Sequence, residues 1–404
     1  MKRLAGACFV LLLVVGCSFR QPVLHDYQNG PHTPGSVARV ERVGWYPAIV
    51  IRALFWYASV PEAISVSDGV ELYRVTYWSQ VEGKNALLSG LLALPTSGNV
   101  RGTVLYMHGT KTNRADSPSN PTIQGQEALL ISCAFAGGGY LVAAPDLSGL
   151  GISHAPQPYF INESTVEQSL DFLRAVQVVA KDMGRPWNPN LYVFGFSQGA
   201  QNAAVIQREL ERHNDPAWKV RAAAGIAGPY AMADVTFPFA LSGVAINDSV
   251  YLTNLALSYS AYYHQPLKSV MTPDMAARAR KLFDGDHPVE ELLSSMPRNP
   301  RKLFTARFLD DFDNKRPNWF IDAMRENESY AWAPVAPFRA YYGDKDVDAA
   351  PQNTIFFVRE TTRRGGHVEA IDVGQEDHSG TAFHAVPKIR RWFDELSVAS
   401  PAGR

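Results

Sequence analysis

A five-residue run, Gly195-Phe196-Ser197-Gln198-Gly199, contains the serine that is best placed in the sequence to do chemistry. It follows an apolar, β-rich run at residues 191–194 and opens a helical pattern at residues 198–212. So tight a turn from strand to helix leaves little room for side chains two positions before and after the serine, where both residues are glycine. The helix N-terminus directs backbone N–H groups at developing negative charge. The pattern predicts a nucleophilic serine; the alternative is a glycine-rich turn with a surface serine.

A serine hydroxyl is a poor nucleophile at neutral pH, so Ser197 needs a base to take its proton and an acid to orient that base. Two later loops offer such groups. The loop after the apolar run at residues 338–342 has three carboxylates, and the loop after the run at residues 368–373 has a histidine. These candidates are Asp344, Asp346, Asp348 and His378.

Short apolar runs alternate with helical periodicities along most of the chain. The runs at residues 72–79 and 87–94 indicate an antiparallel start to a sheet. The alternation after them predicts an α/β fold, with a mostly parallel sheet covered by helices on both faces. The later strands are expected at residues 103–107, 141–144, 191–194, 222–227, 338–342 and 368–373, and the helices at 124–136, 164–181, 198–212, 353–364 and 382–396.

The segment at residues 229–333 interrupts this alternation. It is far longer than a simple crossover needs, and it is helical in character and rich in aromatic residues, as at residues 251–263. We therefore predict a helical cap, inserted before the last two strands and lying over the carboxyl edge of the sheet. Its aromatic residues fit either a site wall for an apolar acyl or aryl group or the core of the cap itself.

Together these features resemble the α/β-hydrolase superfamily over residues 70–396, with a hydrolase core at 71–228 and 334–397. In that family the acid follows the serine and precedes the histidine, and it lies in a Gly-x-x-Asp sequence followed by an apolar residue and a proline. The resemblance implies Asp346 as the acid and His378 as the base. Because Pro351 comes one place later than usual, Asp348 stays open as the acid.

The secreted lipase and esterase branch of the superfamily is similar at residues 89–95, 106–109 and 145–151. This resemblance implies hydrolysis of an ester through an acyl-serine intermediate, with the oxyanion bound by the backbone N–H groups of Thr110 and Gln198. His108 is expected to brace the Thr110 loop. Asp146 precedes Ser197 in the chain, so it is expected to organise a loop beside the site. Similarly, His367 and His384 are expected to be structural.

Two other functions stay open from the sequence. The first is a serine peptidase of the prolyl-oligopeptidase type, although the chain between Cys17 and residue 72 is too short for the β-propeller that such enzymes usually have. The second is an envelope lipoprotein that kept the fold but only binds a ligand. The complete set of Ser197, Asp346 and His378 argues against it.

The N-terminal residues have the features of an export signal. Lys2 and Arg3 precede an apolar stretch at residues 4–15, which is too short to span a bilayer. It ends in Val14-Val15-Gly16-Cys17, which resembles the bacterial lipoprotein cleavage box, where the cysteine is lipidated. We therefore expect a signal peptide at 1–16, a tether and N-terminal helix at 17–70, and a membrane attachment through the lipid on Cys17. Ser18 favours the outer membrane; a periplasmic or secreted protein is the alternative.

Composition limits the remaining function classes. The chain has 404 residues, 46% of them hydrophobic and 19% charged, with a formal net charge of -1. This balance does not favour a nucleic-acid partner. Cys133 is the only cysteine beyond residue 17, which excludes an intramolecular disulfide, and it is expected to be a small buried apolar residue. No metal-binding or phosphate-loop motif occurs, so no metal or cofactor is expected. The sequence leaves the oligomeric state open.

Overall fold

A computed structural model of the chain describes residues 24–27, 30–60, 64–121 and 126–398. The expected signal peptide and Cys17 lie outside these residues. Within them ten strands form one sheet, in the spatial order β1-β2-β3-β4-β6-β5-β7-β8-β9-β10. The strands are β1 (Leu24–Asp26), β2 (Val37–Tyr46), β3 (Val70–Val81), β4 (Lys84–Pro95), β5 (Thr103–Met107), β6 (Leu141–Pro145), β7 (Asn190–Phe196), β8 (Lys219–Ile226), β9 (Phe338–Tyr342) and β10 (Val368–Asp372).

Helices follow or connect these strands. Those of the core are α1 (Ala48–Tyr57), α2 (Gln126–Ala136), α3 (Asn162–Asp182), α4 (Gln198–His213), α11 (Pro351–Thr362) and α12 (His378–Val398). Those between β8 and β9 are α5 (Phe237–Ala240), α6 (Asp248–Tyr262), α7 (Pro273–Leu282), α8 (Val289–Ser295), α9 (Ala306–Asp313) and α10 (Trp319–Glu326), preceded by a π-helical turn at Met232–Thr236. They form the cap that the sequence predicts before the last two strands.

The sheet is antiparallel from β1 to β4 and parallel from β6 to β10 in spatial order, with β4 and β6 antiparallel. Alternate residues of its strands enter two separate apolar cores. Val104 packs with residues of α1, α2 and α12, whereas its neighbour Leu105 packs with residues of α3, α4 and α11. Helices therefore cover both faces of the sheet, which confirms the predicted α/β arrangement.

Strand order brings the predicted site loops together. β5 lies between β6 and β7, and both neighbours are parallel to it. From β5 the chain continues to β6 on one side, whereas β7 and then β8 lie on the other side. The loops after β5 and β7 therefore meet at a crevice at the carboxyl edge of the sheet. The loop after β5 contains Thr110, and the loop after β7 contains Ser197.

The N-terminal segment differs from the expected tether. β1 and β2 belong to the sheet, so the hydrolase core begins before residue 71 in the described part of the chain. The sequence does not indicate that β2 is a strand, because two register shifts interrupt its pairing with β3. They lie between Val37 and Arg39 and between Arg42 and Gly44. Its buried apolar residues Val37 and Val40 are therefore three positions apart instead of two.

The cap has an apolar core of its own. Four phenylalanine rings from the cap pack edge-on or tilted against one another, with neighbouring centroids 5.0–6.4 Å apart. These rings belong to Phe237, Phe304, Phe308 and Phe320. The same apolar cluster includes six other aromatic residues of the cap, namely Tyr259, Tyr262, Tyr263, Phe283, Phe312 and Trp319. Most of the aromatic residues of the segment therefore pack within the cap, which favours the interpretation that they form the core of the cap.

Other local expectations are met in the described residues. Cys133 is buried in α2 without a disulfide partner, and burial raises the pKa of its thiol to about 12. The apolar run after residue 45 forms the end of β2 and then α1, whose Val50, Ile51 and Phe55 are buried. None of the described helices combines the length and the apolar composition needed to cross a bilayer.

Candidate active site

Ser197 occupies a strained turn between β7 and α4. Its φ of 55° and ψ of -121° lie outside the regions that residues with a side chain usually adopt. The two glycines of the motif make this turn possible. A Cβ on Gly195 would overlap the backbone of Gly199, and a Cβ on Gly199 would overlap the carbonyl oxygen of Met107. The turn thus has the geometry that the glycine spacing predicts for a nucleophile.

The loops after β9 and β10 bring His378 and Asp346 together. His378 Nδ1 lies 2.7 Å from Asp346 Oδ2, and the other oxygen, Oδ1, accepts from the backbone N–H groups of Asp348 and Ala349 at 2.9 Å each. Asp346 is buried. Three hydrogen bonds hold this carboxylate in place, so it accepts the Nδ1 proton and leaves the lone pair of the imidazole on Nε2.

The imidazole lies beside the turn that carries Ser197. The ring of His378 packs on that of Phe196, the residue before the serine, with centroids 4.7 Å apart and planes at 37°. The adjacency of β7, β8, β9 and β10 in the sheet produces this approach, because the loops at their carboxyl ends are neighbours. The structure therefore gathers Ser197, Asp346 and His378 at one edge of the sheet.

The other candidate acids and bases face elsewhere. Asp344 is exposed and accepts from Gln375. Asp348 contacts the cap instead, where its Oδ1 accepts from Asn247 Nδ2 at 2.7 Å. His384 pairs with Glu376, at 3.3 Å between Nε2 and Oε1. Of the three carboxylates of this loop, Asp346 is the one in contact with His378.

The predicted oxyanion donors belong to the loop after β5 and to the first turn of α4. Thr110 lines the same cavity as the serine, and its Oγ1 shares a hydrogen bond of 2.9 Å with the hydroxyl of Tyr159. Gln198 is the first residue of α4, so its N–H is one of the donors that a helix leaves outside its own ladder. Gln198 thus directly follows the nucleophile and Thr110 shares its cavity, while the binding of an oxyanion by their N–H groups stays a prediction.

Glu127, at the start of α2, fixes the loop of Thr110. Its carboxylate accepts from Gly109 N at 2.9 Å, from Tyr106 Oη at 2.5 Å and from Lys111 Nζ at 2.9 Å. Burial alone would raise its pKa, but the Lys111 ammonium and these hydrogen bonds lower the pKa to about 2. The sequence does not reveal this residue, because nothing local pairs it with a loop 18 residues earlier.

Replacing Glu127 by Gln is expected to lower the free energy of unfolding at pH 7 by about 1–3 kcal/mol, since a charged hydrogen-bond acceptor is lost. The depressed pKa means that the charged form stabilises the native state above about pH 4.5, and that this contribution disappears as the pH falls toward 2. Urea unfolding of both proteins at pH 7 and pH 3 should show the difference shrinking at pH 3. A difference that grows at pH 3 would contradict this account. Glu369→Gln, which removes an exposed ion pair with Arg339, is the matched control.

His108 and Asp146 have structural roles beside the site. His108 Nε2 lies 3.1 Å from the carbonyl oxygen of Asp146, and its Nδ1 lies 2.7 Å from that of Gly109. Asp146 is fully buried and accepts from Ser89 Oγ at 2.5 Å and from Ser119 N at 2.8 Å. These contacts brace the loops after β5 and β6, as the sequence predicts. In the described part of the chain, no cluster of His, Cys, Asp and Glu side chains has a metal-binding arrangement.

A small cavity, partly open to solvent, lies between Ser197 and the cap. Its walls are largely apolar, as are most small-molecule sites, and they include Phe160 from the core and Met232, Leu252 and Leu255 from the cap. Polar groups also reach it, among them Asp248 and Tyr251 of α6, which the sequence does not single out. The serine thus lines a partly open space that the cap helps to form.

No protein-family model and no curated protein matches the sequence. Solved structures match the fold. A candidate hydrolase of Legionella pneumophila is 22% identical, with a TM-score of 0.84 over 91% of this chain and all of the other. A rice cell wall degrading esterase, LipA of Xanthomonas oryzae, is 23% identical, with a TM-score of 0.79 over 91% of this chain and all of the other. Candida antarctica lipase A is 12% identical, with a TM-score of 0.63 over 92% and 84% of the two chains. The chain therefore has the α/β-hydrolase fold.

Proposed function

We propose that this protein is a serine hydrolase that cleaves carboxylic esters. The observation that carries the proposal is the pairing of His378 with the buried carboxylate of Asp346, next to a strained turn that presents Ser197. Solved structures of the same fold include proteins described as esterases and lipases, which supports an ester as the substrate class. Fold alone does not define the reaction, so the proposal depends on the residues of the site.

In the proposed reaction His378 Nε2 takes the proton of Ser197 as its hydroxyl oxygen attacks the ester carbonyl. The carbonyl oxygen becomes an oxyanion that accepts from the N–H groups of Thr110 and Gln198. Collapse of this intermediate breaks the ester bond, and His378 gives its proton to the departing alcohol. Water then attacks the acyl-serine with the same base, which releases the carboxylic acid and restores the serine.

The substrate class is tested with a panel of chromogenic compounds. We expect hydrolysis of p-nitrophenyl esters with acyl chains that the apolar cavity accepts, and no hydrolysis of glycyl-prolyl p-nitroanilide. The physical reason is that the cavity behind Ser197 is small and lined mainly by aliphatic and aromatic side chains. Cleavage of the prolyl compound without ester cleavage would favour the peptidase. Absence of both activities in folded protein would favour a binding protein.

We further propose that a lipid on Cys17 attaches the protein to a bacterial cell envelope. Of the membranes of the envelope, Ser18 favours the outer membrane. The support is the basic start, the apolar stretch and the cysteine box of the sequence. In that location the enzyme would meet extracytoplasmic esters. The substrate proposed is a small ester with an apolar acyl or aryl group, without metal, cofactor or nucleic acid.

A further inference from the structure

The cavity that faces Ser197 has a polar end formed by the cap. Asp248, the first residue of α6, lines the cavity and is 1% exposed. Its Oδ2 accepts from the backbone N–H of Ala245 at 2.9 Å. Its Oδ1 is buried and has no hydrogen-bond partner among the described residues. Burying a carboxyl oxygen without a hydrogen bond lowers the stability of the folded protein, unless a ligand in the cavity supplies that hydrogen bond.

The neighbouring polar groups are already engaged with one another. Asp348 Oδ1 accepts from Asn247 Nδ2 at 2.7 Å and from the hydroxyl of Tyr251 at 3.3 Å. Both Asp348 and Tyr251 line the same cavity. The polar neighbours of Asp248 thus have hydrogen-bond partners across the interface between cap and core. Asp248 Oδ1, in contrast, has none among the described residues. The side chain of Asp248 lines the cavity that contains the nucleophile.

The charge state of Asp248 favours a neutral ligand group. The charged side chains that act on it are Asp348 and Arg298, and none of the ion pairs among the described residues includes it. Burial is the main cause that raises its pKa, to about 7, and the Asp348 carboxylate adds to the rise. Near neutral pH a large share of Asp248 is protonated. A carboxyl group in that form both donates and accepts, as a hydroxyl does.

We infer that Asp248 is a specificity residue that binds a free hydroxyl group of the substrate, so that the preferred substrates are hydroxylated esters. Most of the remaining surface of the cavity is apolar, with Leu252 and Leu255 on the same helix as Asp248. The matching substrate therefore combines an apolar portion with a hydroxyl group apart from the scissile bond. This inference rests on the proposed ester hydrolysis, and it adds the chemistry that selects among esters.

Paired substrates test the inference in the full-length protein. One pair is p-nitrophenyl hexanoate and p-nitrophenyl 6-hydroxyhexanoate; the other is propyl butyrate and glyceryl monobutyrate. A hydrogen bond to a buried group that is otherwise unpaired is expected to raise kcat/KM of the hydroxylated member about tenfold or more in at least one pair. The 6-aminohexanoate ester is the cationic comparison, and it should not share the advantage.

Substitutions then assign the preference to Asp248. Asp248→Ala is expected to bring the ratio of kcat/KM within each pair close to about 1, whereas Asp248→Asn, which still donates and accepts, should keep most of the preference. Ser249→Ala is the matched control, because Ser249 is the next buried residue of α6 but donates to the carbonyl oxygen of Pro297. It should leave the ratio unchanged.

The inference is overturned if the wild-type protein shows no preference in either pair, if it prefers the amino ester, or if Asp248→Ala keeps the preference for the hydroxylated ester. The wild-type ratios test it even if the alanine variant does not fold. Failure of the proposed ester hydrolysis is a different result, since it would abolish activity on both members of each pair and labelling of Ser197 by a fluorophosphonate.

Discussion

Replacing His378 by alanine is expected to lower kcat for a p-nitrophenyl ester by about four orders of magnitude. The variant has no base to take the proton of Ser197, and no acid to protonate the departing alcohol. The imidazole of His378 packs against Phe196 and is hydrogen-bonded to the buried carboxylate of Asp346. We therefore expect no other side chain to act as the base in the variant. Steady-state kinetics at pH 8, with circular dichroism to verify folding, measure the effect.

The matched control for this variant is His384→Ala. His384 lies on the same helix, α12, and its side chain is 34% exposed and pairs with Glu376. Its removal should change kcat less than about threefold, because a partly exposed ion pair contributes little to folding or to the site. A large loss with His384→Ala and a small one with His378→Ala would contradict the proposed base.

Replacing Asp346 by Asn is expected to lower kcat by about three to four orders of magnitude, with a small change in KM. An asparagine keeps an oxygen for the backbone N–H groups of Asp348 and Ala349, so the loop retains two of its hydrogen bonds. Its NH₂ group, however, would face Nδ1 of His378 as a donor. The imidazole would then carry its proton on Nε2 and be unable to accept the proton of Ser197.

Asp344→Asn is the control for the acid. Asp344 is in the same loop but is exposed, and its partner is Gln375. Its kcat should remain within about twofold of the wild-type value. Comparable losses in the two variants would show that the loop as a whole, and not the contact between Asp346 and His378, matters for turnover.

The regular part of the fold was predictable because its signals are local. In β5 to β9 each strand is a short, mostly buried run that ends in a loop, and β10 is a partly exposed strand at the edge of the sheet. The predicted positions of all six strands agree with the structure within a few residues. The turn at Ser197 was predictable for the same reason, since the need for two glycines is a steric property of five consecutive residues. β2 is not predictable in this way, because its register shifts remove the alternation of buried and exposed residues on which the prediction of a strand depends.

The supporting groups of the site depend on contacts between distant segments. Glu127 binds a loop 18 residues away, and Asn247, next to Asp248, meets Asp348 across 101 residues. A single sequence contains no signal for such pairings. In the sequence only a family resemblance favours Asp346 over Asp348. The structure gives the physical reason, because the carboxylate of Asp346 faces His378 while that of Asp348 faces the cap.

The role of the aromatic residues of the cap is also difficult to predict from the sequence. Its aromatic residues are numerous enough to build either a core or a site wall. In the structure Phe237, Phe308 and Phe320 are fully buried among themselves, whereas Tyr251 reaches the cavity. The sequence of α6 does not separate these two faces, because apolar and polar residues occur all around it. The cavity therefore has a more polar end than the composition of the cap indicates.

The central claim, that Ser197 is the nucleophile, is tested most directly by covalent labelling. The native protein is incubated with a fluorophosphonate, its intact mass is measured, and the modified residue is identified by peptide mass spectrometry. We expect one phosphonyl group per chain, attached to Ser197, and no modification of the Ser197→Ala variant. Attachment to another residue, or ester hydrolysis that persists in folded Ser197→Ala, would contradict the account.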